Sequence, residues 1–134
     1  MYTISQAAAG SSLTAKAIRF YEDRHLIDPA RTETGYRLYT EQDIAELRFV
    51  HHARALGLPL RDIKTILEQR REGTPPCTLV TEVLDTRIAE VDHEIERLQA
   101  IRARLSHARE TARTPGRGEN PSAAVCPIIE NPAA

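Results

Sequence analysis

The sequence predicts a mainly α-helical fold: a winged helix-turn-helix, then one long coiled-coil helix and a short tail. Three observations carry that prediction. Residues 3–24 read as helix, glycine-containing turn, helix. A short extended pair comes next around Thr32-Glu33-Thr34-Gly35, with the chemistry of a hairpin turn. From Cys77 to Thr111 there is no Pro or Gly, and apolar residues fall at alternating spacings of four and three.

Each element has a local cause. Thr3 caps a helix through residues 5–9, which Gly10 is expected to end through its tolerance of left-handed geometry. After Ser11-Ser12 a second helix carries Leu13, Ala17, Phe20 and Tyr21 at helical spacing, with Leu13, Ala17 and Phe20 turned towards the core. Asp28-Pro29 breaks the chain before the hairpin, whose arms lie around Arg31 and residues 36–39. Thr40-Glu41-Gln42-Asp43 resembles a capping box with Asp in the reciprocal position. The helix it opens carries Ile44, Leu47, Phe49-Val50 and Ala53 and stops at Leu56-Gly57. Leu58-Pro59 starts another, with Leu60, Ile63, Ile66 and Leu67 on one face, ending near Gly73.

The long helix carries Leu84, Ile88, Val91, Ile95, Leu98 and Leu105, with Arg102 at the one position where the stripe expects an apolar residue. Such a stripe must be covered, either by the chain's own N-terminal part or by a second copy. The first 72 residues are too few to cover a helix of about 50 Å, which favours a homodimer. Loop chemistry returns from Thr114 to Pro121, and Cys126-Pro127-Ile128-Ile129-Glu130 suits one or two helical turns. The expected organisation is 1–72, the helix-turn-helix with its connecting helices; 73–112, the dimerisation helix; and 113–134, the tail.

Composition narrows the function classes. The chain has 134 residues, 41% hydrophobic, 28% charged and 4% aromatic, with two cysteines and a net charge of -1. No apolar run approaches the roughly 20 residues of a membrane span, and the N-terminus lacks the pattern of a secretory signal. Two cysteines build neither a disulfide scaffold nor a four-thiolate cluster, so a reducing cytoplasm is the expected setting. Residues 1–72 hold 11 Lys and Arg against 10 Asp and Glu, so any nucleic-acid footprint must come from placement rather than bulk charge. Lys16 and Arg19 lie three apart and share one helix face, where a recognition helix would enter the major groove. Arg31, Tyr36 and Arg37 surround the hairpin turn, as in a wing that grips phosphates. By spacing alone, a solvated helix face and a plain surface hairpin fit equally well. His51-His52 are adjacent on a helix and do not face one metal; His25 and His93 have no partner by spacing. Nothing in the pattern supports catalysis, and no enzyme is expected.

Ala17-Ile18-Arg19-Phe20-Tyr21-Glu22, Leu26-Ile27-Asp28-Pro29, Arg31 and Gly35-Tyr36-Arg37-Leu38-Tyr39 resemble the signature of the MerR family of transcription regulators. Asp43-Ile44, Leu47, Ala53-Arg54, Gly57, Leu60 and Ile63 continue the pattern, and the likeness covers essentially the whole chain. The resemblance implies a winged-helix DNA-binding part and an antiparallel helix pair as dimer interface. It implies activation by distortion of an overlong promoter spacer, so that RNA polymerase engages both elements. It places Lys16, Arg19 and Tyr21 on the recognition helix, Arg31, Tyr36 and Arg37 in the wing, and Arg54 on a phosphate.

Members of the family differ in the segment beyond the long helix. The 23 residues after Thr111 are too few for a drug-binding domain, and the run Cys126-Pro127-Ile128-Ile129-Glu130-Asn131 is similar to the tail of copper-efflux regulators. Cys77 resembles the mark of the divalent-ion sensors, those of zinc, cadmium, mercury or lead, where sensors of monovalent copper, silver and gold carry serine. Thr114 stands where family members have another cysteine. Within one chain the tail would need some 14 residues, about 48 Å fully extended, to bring Cys126 back to Cys77. In an antiparallel dimer the start of one helix meets the end of the other, so Cys77 of one subunit can approach Cys126 of its partner, twice by symmetry. Two thiolates suffice for linear coordination, whereas zinc wants four ligands, for which His107, Glu110 and Glu119 are candidates. The competing expectations are two buried structural cysteines, a thiol or redox sensor without a metal, and a coiled-coil adaptor that binds no DNA.

Overall fold

The computed structural model describes residues 1–114 and 125–130. The elements, in order, are α1 (Ile4–Ser11), α2 (Ala15–Asp23), β1 (Ala30–Arg31), β2 (Arg37–Leu38), α3 (Glu41–Ala55), α4 (Leu60–Arg71), α5 (Cys77–Arg113) and α6 (Pro127–Glu130). The chain forms two compact units, Met1–Arg87 and Ile88–Ala134, so the first turns of α5 belong with the N-terminal unit.

In the first unit a single apolar cluster holds α1 to α4 and the start of α5 together. Ile18, Tyr39, Leu47, Val50 and Ile63 are all fully buried within it, joined by Leu26, Leu67 and Val83. Each of the larger aliphatic side chains stabilises the fold by about 1.5–3 kcal/mol on burial. α1 is opened by a reciprocal capping box between Thr3 and Gln6. Its end differs from expectation: Gly10 is helical, and the left-handed residue is Ser12, at φ 62°. Gly10 serves packing instead, because a Cβ there would lie 3.1 Å from Ile44 Cγ2. α2 also departs from its expected face. Ile18 and Tyr21 are buried, Leu13 and Ala17 are only partly so, and Phe20 is 42% exposed.

Three helices finish with the same left-handed device. At the ends of α2, α3 and α4 the residues in left-handed conformation are His25, Gly57 and Gly73. Behind them Leu26 N–H reaches Tyr21 O, Leu58 N–H reaches Ala53 O and Thr74 N–H reaches Gln69 O, at 3.0–3.2 Å. These six-to-one bonds satisfy carbonyls that each helix end would otherwise leave open. β1 and β2 pair antiparallel, Ala30 with Leu38 and Arg31 with Arg37, through the Gly35 turn. Tyr2 extends this ribbon by bonding both ways with Tyr39, at 2.7 and 2.8 Å. Thr40 and Asp43 form the expected capping box of α3.

In the second unit α5 runs on to Arg113, and every residue from 88 to 100 is exposed. Ile88, Val91, Ile95, Leu98 and Leu105 are 40–62% exposed along it. α6 is the expected short turn, and its own Glu130 Oε2 accepts the amides of Val125 and Cys126, at 3.0 and 2.6 Å. Among the described residues no helix is long and apolar enough to cross a membrane.

Candidate functional site

Burying Ile18 and Tyr21 fixes the roll of α2 and turns Lys16 and Arg19 outwards, where both are exposed. Thr14 caps the helix by accepting from Ala17 N–H at 3.0 Å. Phe20, displaced from the core, lies edge-on to Tyr21 and beneath the Arg24 guanidinium, 5.0 Å from its ring centre. The expected contact residue Tyr21 is placed differently from Lys16 and Arg19: at 8% exposure its ring is a core component, not part of the open face.

The wing is tied to α2 by one carboxylate that the residue pattern alone did not single out. Glu22 Oε1 accepts from Arg31 at 3.1 Å and Oε2 from Arg37 at 2.5 Å. Glu22 is largely shielded, its side chain 15% exposed, while Arg31 and Arg37 keep 48% and 33%. Arg31 also donates to Gly35 O at 3.1 Å, across the turn. The two arginines are therefore held in a fixed position with part of each fork facing solvent. Tyr36 stands at the hairpin tip, 74% exposed. Between α2 and the wing lies a recess of about 420 Å³ lined by Thr3, Ile4, Arg19, Thr32, Gly35, Tyr36, Arg37 and Leu38. It brings together Arg19, Tyr36 and Arg37, with hydroxyl and backbone groups beside them.

Tyr39 follows directly on Leu38, which lines this recess. It is fully buried, and its hydroxyl has no hydrogen-bond partner among the described residues. Burial pushes its phenol above the ordinary value, and the charge of Glu22 adds to the shift against the opposing Arg37, Arg19 and Arg31. A second pair the sequence did not reveal joins α3 to α4. Arg71 reaches Glu46 at 2.7 Å and 3.2 Å and Leu26 O at 2.6 Å. The hydrogen bond to Glu46 raises the guanidinium's pKa further. Arg54 is exposed near the end of α3, with one arm on Leu58 O at 3.0 Å.

Of the candidate metal ligands, Cys77 is exposed at the first residue of α5 and Cys126 is half-buried just ahead of α6. They belong to different compact units. His107 is exposed on α5, and Glu119 lies outside the described residues. Thr114, in the place of the missing cysteine, donates its hydroxyl to Glu110 O at 3.0 Å and closes the last turn of the helix. Among the described residues no group of three or more His, Cys, Asp and Glu is gathered closely enough to hold a metal.

A helix with exposed cations, a wing locked beside it and a capped helical scaffold define a winged helix-turn-helix DNA-binding protein. Residues 2–70 match the description "MerR HTH family regulatory protein", and residues 44–108 match "MerR, DNA binding". The Heavy metal-dependent transcription regulator 2 of Rhizobium meliloti (strain 1021) is 36% identical over 128 residues, 95% of this chain and 83% of that one. The transcription regulator PbrR691 from Ralstonia metallidurans CH34, solved in complex with lead(II), is 27% identical with a TM-score of 0.77, covering 99% of this chain and 100% of that one. MerR from Bacillus megaterium MB1, solved with a mercury(II) ion, is 29% identical with a TM-score of 0.63, covering 92% of each chain. The chain belongs to the MerR family of helix-turn-helix transcription regulators, and such regulators are not enzymes.

Proposed function

We propose that the protein is a cytoplasmic, homodimeric, metal-responsive regulator that activates metal efflux or detoxification genes by distorting promoter DNA for RNA polymerase. The single observation that carries the metal reading is the exposed Cys77 at the first residue of a helix whose apolar seam is bare. A second copy packed antiparallel on that seam would bring its tail, with Cys126, to the Cys77 end. Lys16 and Arg19 would read the major groove, Arg31, Tyr36 and Arg37 would take phosphates, and Arg54 would take another. Twisting the duplex costs on the order of 1–6 kcal/mol, which these contacts must offset.

The donor set favours a soft ion. Two thiolates satisfy linear coordination by mercury(II) or by monovalent copper, silver or gold; zinc, cadmium or lead would call on further ligands such as His107 or Glu119. The relatives solved with lead(II) and mercury(II) support a soft or borderline metal as effector. Metal held between Cys77 and Cys126 of the partner subunit would shift the DNA-bound dimer between two shapes through its differential affinity for them.

The test is promoter-driven transcription against a panel of metal ions, with wild type beside Cys77→Ser and Cys126→Ser. Both variants should bind operator DNA as wild type does and lose the metal response. An unchanged response in Cys77→Ser overturns the site. Because Cys77 is exposed, a thiol switch is the second reading; it predicts silence towards metals under strict reduction and a response to oxidant.

A further inference from the structure

The turn between α3 and α4 is held by two arginines, one from each side of it in the chain. Leu56 caps the end of α3, Gly57 follows in left-handed conformation at φ 78°, and Leu58 N–H reaches back to Ala53 O at 3.1 Å. Two carbonyls of this winding accept from arginine side chains. Arg54 Nη1 donates to Leu58 O at 3.0 Å, and Arg87 Nε donates to Leu56 O at 3.2 Å. Arg54 belongs to α3 itself, whereas Arg87 comes from α5, 31 residues beyond Leu56. The Arg87 contact is closer than one hydrogen bond requires. A Cβ on residue 57 would stand 2.5 Å from Arg87 Nη2 and 2.9 Å from its Cζ and Nε. The guanidinium lies against the turn because residue 57 is glycine. Arg87 is half-buried there, and its charge sits at the C-terminal end of α3, where a helix favours cations. It is the last residue of the N-terminal unit, so the whole contact lies within that unit.

Resting on the reading of Arg54 as a phosphate contact, we infer that Arg87 is a positioning residue for it: by clamping Leu56 and Gly57 to α5, it fixes the turn that carries Arg54. Arg54 is exposed and anchored by one arm to Leu58 O, two residues from the clamped carbonyl. Where Leu58 O stands decides where the rest of the Arg54 fork points, and the clamp decides where Leu58 O stands. Such placement matters because a guanidinium meets a phosphate through a planar fork of fixed geometry. Arg87 acts through Arg54 and makes no DNA contact of its own.

The test is a double-mutant cycle on DNA binding by the full-length protein, using Arg54→Met, Arg87→Met and the pair. The probe is a duplex selected from random sequence by the wild type, titrated at about 0.15 M salt to screen distant charge. Arg54→Met should weaken binding at least about tenfold, and Arg87→Met at least about threefold. The pair should lie within about twofold of Arg54→Met alone, because the contact that Arg87 positions is already gone. Losses that multiply in the pair overturn the proposal, for Arg87 then meets DNA itself or supports another contact. Full affinity in Arg87→Met beside a weakened Arg54→Met overturns it as well and leaves the role of Arg54 intact. Full affinity in Arg54→Met removes the phosphate reading and the proposal with it. Gly57→Ala is the second route, used also if Arg87→Met unfolds by circular dichroism. It keeps every charge but drives a Cβ into Arg87. It should weaken the wild type at least about threefold and add less than about twofold to Arg54→Met; a multiplied loss here overturns the proposal too.

Discussion

Glu22 shows how much one carboxylate can decide. Its two oxygens hold Arg31 and Arg37, which fixes the wing against α2. Glu22→Gln keeps the shape and removes the charge that strengthens both bonds. Stability should change by only about 1 kcal/mol, because the Arg31 and Arg37 side chains keep 48% and 33% of their surface in solvent, which screens both pairs. The ratio of operator to non-specific DNA affinity, measured by titration at fixed salt, should fall about tenfold, since the arginines lose their set positions while the net charge becomes more favourable to any DNA. An unchanged ratio would show that the wing is held by other means. Tyr39 gives a pH prediction. Its phenol is raised from the ordinary 10.0, chiefly by burial. Above that pH the unfolded chain releases the proton while the folded one keeps it, so stability falls as pH rises towards the folded value. Tyr39→Phe should flatten the alkaline limb of the melting profile. At neutral pH it should leave Tm unchanged or slightly higher, because the lost hydroxyl has no partner among the described residues.

Among the elements, the connection of α3 to α4 rests on more than apolar contact. Arg71 bonds Glu46, whose side chain is 8% exposed, and also the carbonyl of Leu26 after α2. Arg71→Ala leaves a buried carboxylate and a backbone carbonyl unpaired. The expected loss is about 2–3 kcal/mol by chemical denaturation, below the usual figure for a fully buried pair because Arg71 itself is 39% exposed. The double variant Glu46→Leu with Arg71→Ala should lose less than Arg71→Ala alone; an equal or larger loss would show that packing, not the buried charge, sets the cost.

For the molecule as a whole, the bare seam of α5 links folding to function. Leu98→Asp, in the exposed seam of α5, places carboxylates where leucine side chains would bury apolar area in the proposed dimer. The protein should become monomeric by sedimentation, and operator affinity should drop more than about 100-fold, because each protomer would then bind a single half-site. The N-terminal unit should keep its stability, since Leu98 lies in the other compact unit.

Much of this was legible from the residues. Thr3, Thr40, Gly57 and Gly73 marked helix ends because capping and left-handed turns are local chemistry, decided within five or six residues. The stripe on α5 and the exposure of Lys16 and Arg19 came from helical period, and the family from the run around Arg19 and the wing. Periodicity misjudged Phe20 and Gly10, because which side of a short helix is buried depends on what packs there. Ile44 against Gly10, and the cluster around Ile18 and Tyr21, are set by α3 and the ribbon, not by α1 or α2 alone. Glu22 with Arg31 and Arg37, and Glu46 with Arg71, lie 9, 15 and 25 residues apart. Sequence by itself determined the elements, most of their ends and the apolar stripe of α5, all properties of one helix or turn. Only the tertiary structure decided which carboxylate holds the wing and which arginine joins α3 to α4, because long-range ion pairs leave no periodic trace and exist only once separate elements have been brought within hydrogen-bonding distance.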